Sequence, residues 1–350
     1  MQAGTTFLTT ALAAFALATP ARAQCAGVDP SVAVAIEAAP IVSFSRFLPQ
    51  QRRFDKVEYI GGLVLTSSHA EFGGLSAIRV DADGQHFISL TDQGWWLAGR
   101  IAYDDRGQPA GIADARMAPM QGLGIVGRRH SRTAWYDTES LAERDGSLYV
   151  GIERVHRIVQ FDFAQCGFRA RAVEVKDIPA AIAHLPSNQS LEGLVAPASG
   201  GYSGSLIAFS ERGLDAAGNL MAFVIGPPPR AGRRRDNAEF AVRRRDDFDI
   251  SDAAMLPSGD VLILERRFSL WSGLAMRLRQ VGIAGIAAGA VVDGADLLVA
   301  DSRTTQIDNM EGVSVHRDAS GALVLTLVSD DNFNHFLQRT VLLQFRLVGG

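Results

Sequence analysis

Cysteine is nearly absent from this chain of 350 residues: Cys25 and Cys166 are the whole complement. Neither has the partner spacing of a zinc ligand set or a cysteine nucleophile. They are left with two readings, a disulfide in an oxidising compartment or two buried thiols. Long apolar runs are equally scarce. Beyond the N-terminus the nearest candidate is residues 281–292, VGIAGIAAGAVV, far below the ~20 residues that span a bilayer. No H-E-x-x-H, G-x-S-x-G elbow, P-loop or dinucleotide fingerprint occurs, which removes the local signatures of zinc peptidases, serine hydrolases and nucleotide-dependent enzymes. Charge gives no basic surplus either: the net is −4, and the basic residues are almost all Arg. That balance argues against a nucleic-acid partner.

Residues 1–23 read as a secretory signal, an apolar stretch over 7–18 followed by Ala21-Arg22-Ala23, an A-x-A cleavage site. No Lys or Arg, and so no Arg-Arg pair, precedes the apolar stretch, so twin-arginine export is not indicated. The expected mature protein is periplasmic or secreted, without a membrane span, and monomeric. Residues 24–53, with Pro30, Pro40 and Pro49, are expected to be an extended leading segment, and residues 54–350 a single domain.

What the chain has in quantity is a repeated phrase. An acidic or glycine position, a short apolar run, a Gly-containing turn and a strand ending in Asp or Glu recur five times. The copies occupy 72–92, 138–154, 190–212, 250–267 and 309–331. Aligned on Gly73, Glu139, Glu192, Asp252 and Glu311, they are spaced by 66, 53, 60 and 59 residues. Each repeat offers four short strands separated by Gly, Asp and Asn turns, the content of a propeller blade. The last copy runs out after three strands. Residues 56–64, KVEYIGGLV, supply the fourth and close the ring, which also removes free sheet edges. The fold class is therefore all-β, a single β-propeller with five four-stranded blades; a degenerate sixth blade has room only in residues 99–136. The Arg-rich stretches at 233–235 and 243–245 read as solvated loops, or as a flank attracting phosphate.

Cores need no carboxylates, so repeated acids point to a site. In an up-and-down blade the start of the first strand and the end of the second meet at one face. This pairs Glu139 with Glu153, Glu192 with Glu211, Asp252 with Glu265 and Glu311 with Asp330, while Asp92 faces only Gly73. Nine carboxylates around one mouth repel strongly and call for cations, basic partners or raised pKa values. A hard cation such as Ca²⁺, which takes six to eight oxygen ligands, fits Asp92, Glu139, Glu153, Glu211, Asp252, Glu265 and Asp330 as ligands. Asn188, Asn309, Asn332 and Asn334 offer amide oxygens nearby. Arg154, Arg212 and Arg266 each follow a second-strand acid and can present guanidinium groups to a substrate. His316 and His335 are isolated and read as structural or surface residues. The competing role for each acid is a hydrogen-bonded strut between blades.

Five phrases, Phe72-Gly-Gly-Leu-Ser, Leu90-Thr-Asp-Gln-Gly, Ser190-Leu-Glu-Gly-Leu, Asp308-Asn-Met-Glu-Gly-Val and Val328-Ser-Asp-Asp-Asn-Phe, with the closing Gln338-Arg-Thr-Val-Leu-Leu-Gln-Phe, resemble the phytase-like domain family, also described by an esterase-like activity of phytase. The likeness covers roughly residues 55–347. It implies an exported propeller with recurrent acids and hydrolysis of phosphoesters or related esters. On this reading Glu311 or Glu192 is the general base, and Arg154, Arg212, Arg266, Asn188 and Asn309 bind a small phosphoester or ester. The alternatives are a Ca²⁺-stabilised binding propeller of the cell envelope without catalysis, and a lactonase-like propeller hydrolase.

Overall fold

The computed structural model describes residues 25–123, 125–126, 129–130, 137–227, 235–334 and 336–348. The expected signal at 1–23, His335, Arg233 and Arg234 lie outside the described residues. Five sheets stand around a common axis, each an antiparallel meander running from the axis outward. The first blade is Leu75–Val80, His86–Thr91, Trp95–Tyr103 and Pro109–Pro119; the second is Thr138–Arg144, Ser147–Ile152, Arg157–Asp162 and Val173–Glu174. The third is Leu191–Val195, Leu206–Leu214, Leu220–Ile225 and Ala238–Val242, and the fourth Asp249–Met255, Val261–Ser269, Gly273–Val281 and Gly294–Asp301. The fifth joins Asn309–Arg317, Leu323–Asp330 and Thr340–Leu347 to Val57–Thr66 from the start of the chain. The N-terminal strand thus closes the ring, as the repeat pattern predicts, and no sixth blade occurs among the described residues.

The leading segment adds more sheet than expected. Glu37–Ile41 pairs outside Val57–Thr66, and Val32–Ala33 pairs outside Pro109–Pro119, so one stretch of chain laces the fifth blade to the first. Its start is tied to the second blade by a Cys25–Cys166 disulfide across 141 residues. The open choice between a disulfide and free thiols resolves as a disulfide. Cross-links closing loops this long contribute typically about 2–4 kcal/mol. Replacing Cys166 by Ser is expected to lower stability by about that amount; equal urea midpoints for the two proteins would contradict it.

The core lies between the blades. Five apolar clusters fill the five wedges; one packs Val195, Ile207 and Phe209 of the third blade against Ile250, Ala253 and Ile263 of the fourth. Near the axis the inner strands share one irregularity. In every blade the register of the first two strands skips one residue: Ser76, Glu139, Glu192, Ser251 and Glu311. A β-bulge turns the extra side chain away from the alternating pattern, and here it turns Glu139, Glu192 and Glu311 toward the same mouth, while the Ser76 and Ser251 hydroxyls donate to the carbonyls of Gly74 and Met310.

Beneath that mouth the channel is closed by an ion pair. The Arg79 guanidinium meets the Asp252 carboxylate through two contacts, Nη1–Oδ2 at 3.0 Å and Nη2–Oδ1 at 3.2 Å. The same guanidinium donates to a carbonyl of every inner strand: Ile78, Leu141, Leu194, Ala253 and Val313. Asp252 also accepts from the Val313 N–H at 2.9 Å and from its own neighbour Ala253 at 2.7 Å. One side chain therefore holds all five blades at the axis, where strand-to-strand pairing is absent.

Candidate functional site

Above the Arg79 pin opens a cavity of about 710 Å³. Of the residues expected there, Asp92, Glu139, Glu153, Glu192, Glu211, Glu311 and Asp330 line it, with Asn188, Asn309, Arg212 and Arg266. Asn332 lines it too; Asn334 is not among its walls. Each acid is placed by the same local device. The glutamates 139, 192 and 311 are the bulge residues of their inner strands. Asp330 pairs with Asn309, two residues before its bulge, and Asp92, Glu153 and Glu211 hold the matching place on their second strands, opposite Gly74, Asp137 and Ser190. Backbone bonds fix these positions: Asp92 N to Gly74 O at 2.9 Å, Glu153 N to Asp137 O at 2.8 Å, and Glu211 N to Ser190 O at 2.8 Å.

Asp252 and Glu265 do not join this ring. Asp252 lies one residue past the fourth bulge, so it faces the axis and Arg79. Glu265 pairs in register with Ile250 before the bulge and points into the fourth blade. There it is fully buried, bonded to Arg277 Nε at 2.6 Å and to Arg279. Side chains alternate along a strand, so a slip of one residue exchanges the two faces. The positions equivalent to the acid pairs are therefore Ser251 and Arg266 in the fourth blade, and Ser76 and Asp92 in the first. Gly73 is not the break in the ring. A Cβ there would stand 2.8 Å from Asp331 Oδ1, at a backbone φ of +136°, so its glycine serves backbone packing.

Arg266 thus occupies an acid's place. Its guanidinium reaches Glu211 Oε1 at 2.9 Å, Glu311 Oε1 at 3.1 Å and Asn309 Oδ1 at 3.3 Å. Burial works against its charge, but Glu311, Glu211 and Glu192 outweigh that and raise its pKa further. Arg212 is committed to Asp249 at 2.8 Å through Nε. Arg154 stands behind the wall, on Asp137 Oδ2 at 2.8 Å and Asn188 Oδ1 at 3.1 Å. The run at 243–245 is likewise paired: Arg243 with Asp293, Arg244 with Asp249, and Arg245 with Asp296. His316 is buried against Gly84, away from the cavity.

One carboxylate escaped the sequence reading. Asp137 lies just before the second blade's first strand, in a left-handed backbone at φ +68°. It lines the cavity with the rest. Only its position two residues ahead of Glu139 signalled it. Oxygens of Asp137, Glu139 and Glu153 lie within 4.8 Å of one another, and so do those of Glu153, Glu192 and Glu211. Glu153 belongs to both groups.

Eight carboxylates and two guanidiniums line this cavity, and seven of the acids are hard to ionise. Burial, then Asp330 and Asp137, push Asp92 up to about 8. Burial also raises Glu153 and Glu311 to about 8 and Asp330 to about 6. Glu139 and Glu192 are raised well above the usual range by burial and by each other's neighbours, and Glu211 is raised despite Arg266. Asp92 Oδ1 and Glu311 Oε2 are buried with no hydrogen-bond partner among the described residues. Unpartnered buried oxygens cost stability unless something binds them, and the two oxygen clusters that share Glu153 offer the hard donor set a divalent cation takes.

Among solved structures, the chain is similar to glutaminyl cyclase of Myxococcus xanthus, at 12% identity and a TM-score of 0.41, covering 84% of this chain and 97% of that one. An α-L-arabinofuranosidase of Podospora anserina matches at 13% identity and a TM-score of 0.46, covering 83% and 97%. An aldose sugar dehydrogenase of Streptomyces coelicolor matches at 12% and 0.41, covering 81% and 97%. No curated protein matches the chain. The family described as phytase-like, with esterase-like activity of phytase, matches residues 70–333, a stretch that holds all eight cavity carboxylates, and the chain belongs to that family.

Proposed function

We propose that the protein is an exported, divalent-cation-dependent hydrolase of phosphoesters, acting in the acidic cavity at the propeller mouth. The observation that carries this reading is the pair of oxygen clusters sharing Glu153, set among carboxylates that burial keeps from ionising alone. Asp137, Glu139, Glu153, Glu192 and Glu211 would hold the cation, with Ca²⁺ the expected ion. When bound, it supplies Lewis-acid polarisation of the ester oxygen.

The remaining work falls to the chain's own groups. Glu311 is held by Asn309 Nδ2 at 2.8 Å on Oε1, which leaves Oε2 to take a proton from attacking water. A carboxylate pushed to about 8 is matched to general-base work near neutral pH. Glu192, the other residue expected as a base, falls among the groups that would hold the cation. Arg266 balances the charge of Glu211 and Glu311 and offers a donor for charge developing on the substrate. The disulfide supports export into an oxidising compartment. Among the described residues no helix is long and apolar enough to cross a membrane.

A second reading, cation-dependent hydrolysis of a neutral ester or lactone, draws support from Arg212 and Arg154. Both are already paired with acids, which leaves little positive charge for a phosphate. One assay separates the readings. Chelator-stripped protein is given phosphomonoesters, phosphodiesters and lactones with and without Ca²⁺. Ca²⁺-dependent turnover of a phosphoester is expected, falling about 10²–10⁴-fold in Glu311→Gln. Turnover of lactones alone would favour the second reading. No turnover of any class, with Ca²⁺ still raising thermal stability, would leave a binding propeller instead.

A further inference from the structure

One wall of the cavity is unlike the others. Phe268, Leu274 and Leu337 line it beside the carboxylates. Phe268 and Leu274 are a cross-strand pair near the tip of the fourth blade's long hairpin, and Leu337 comes from the loop after Asp330. Phe268 is 64% exposed and Leu337 72%, and beside them in the chain Leu270, Trp271 and Phe336 are about 90% exposed. Monomeric proteins rarely leave so many large apolar side chains bare together without a use. These residues belong to the fourth blade, which carries Arg266 where the ring of acids is interrupted, and to the fifth blade beside it. On the first, second and third blades the described cavity walls are all polar.

We propose that the substrate is an amphiphile: its ester group sits among the carboxylates, and its apolar group lies on Phe268, Leu274 and Leu337. This rests on the hydrolase reading above and narrows its substrate class. A compact polyanion such as a polyphosphorylated ring has nothing to place on this wall. It would also face eight carboxylates and two guanidiniums that are already paired. An ester bearing an alkyl or aryl group satisfies both halves of the cavity at once.

Binding of a non-hydrolysable series tests this apart from catalysis. Methyl-, butyl-, hexyl- and octylphosphonate are titrated calorimetrically into the Ca²⁺-loaded protein, each below its micellar concentration. A fully buried methylene is worth roughly fourfold in affinity, and this wall covers a chain on one side. Octylphosphonate is therefore expected to bind at least tenfold more tightly than methylphosphonate. Phe268→Ser/Leu337→Ser, at two exposed positions that leave the core intact, is expected to abolish the chain-length dependence, octylphosphonate then binding no more tightly than methylphosphonate to the same variant. Equal affinity across the series, absence of binding by every member, or chain-length dependence that survives in the double variant would overturn the proposal. If the hydrolase reading alone fails, esters are not turned over, yet the chain-length dependence remains.

Discussion

Arg79→Met is expected to destabilise the protein by at least 3–5 kcal/mol, the range for breaking a buried ion pair on one side. Asp252 is fully buried and would keep an uncompensated charge, or take up a proton at a pKa that burial already pushes to about 6. Five carbonyls, one from each inner strand, would lose a donor at the same time, and unmade buried hydrogen bonds cost about 1–3 kcal/mol each. Urea denaturation measures the effect. Because a buried pair is often replaceable by apolar groups of similar size, Arg79→Met/Asp252→Leu is expected to recover part of the loss but not all, since the carbonyls stay unpaired. A cost below about 1 kcal/mol for the single variant would mean that the axis does not depend on this pin.

Stripped of divalent cations, the protein is expected to lose stability as pH rises from 5 to 9, and Ca²⁺ is expected to remove most of that loss. The sign follows from the carboxylates. Asp92, Glu153 and Glu311 are held at about 8 in the folded protein, against about 4 when unfolded. The folded state therefore keeps protons that the unfolded state releases. Their stabilising contribution is complete below about pH 4 and disappears as pH climbs through 8. A loss of a few kcal/mol across that window is expected, read as a falling melting temperature. Ca²⁺ displaces those protons on binding, so its stabilising effect should be larger at pH 8.5 than at pH 5.5. A melting temperature that rises over this range without Ca²⁺ would contradict the picture of a crowded acidic cavity.

The ring itself was legible from the sequence because blades repeat what they bury. Turn glycines, strand length and the orphan strand at 56–64 fix five blades and their closure. The acids were harder to read, for a reason peculiar to strands. Glu139, Glu192 and Glu311 announce the bulge position, but the fourth blade carries Ser251 there and Asp252 next to it. Matching acid to acid slips that blade by one residue and puts Asp252 and Glu265 on the wrong faces. The same slip hides Arg266 as the equivalent of Glu153 and Glu211. Asp137 was invisible for another reason: it lies before its strand, in a left-handed turn, and of the matching positions Gly74, Ser190, Asp249 and Asn309 only one is an acid. The apolar wall carries no periodic signal, since Phe268 lies on the extension of its strand beyond the repeated phrase and Leu337 comes from a loop that the repeat does not constrain.

Calcium titration of ester turnover tests the central claim most directly. Chelator-stripped protein is assayed on a phosphoester with an alkyl or aryl group as Ca²⁺ is added back, and Glu153→Gln is run beside it. Turnover is predicted to be absent without the ion, to rise along the same saturation curve as calorimetric Ca²⁺ binding, and to need far more Ca²⁺ in Glu153→Gln. Turnover that survives chelation, or a Glu153→Gln curve that overlays the wild type, would contradict the assignment of this cavity.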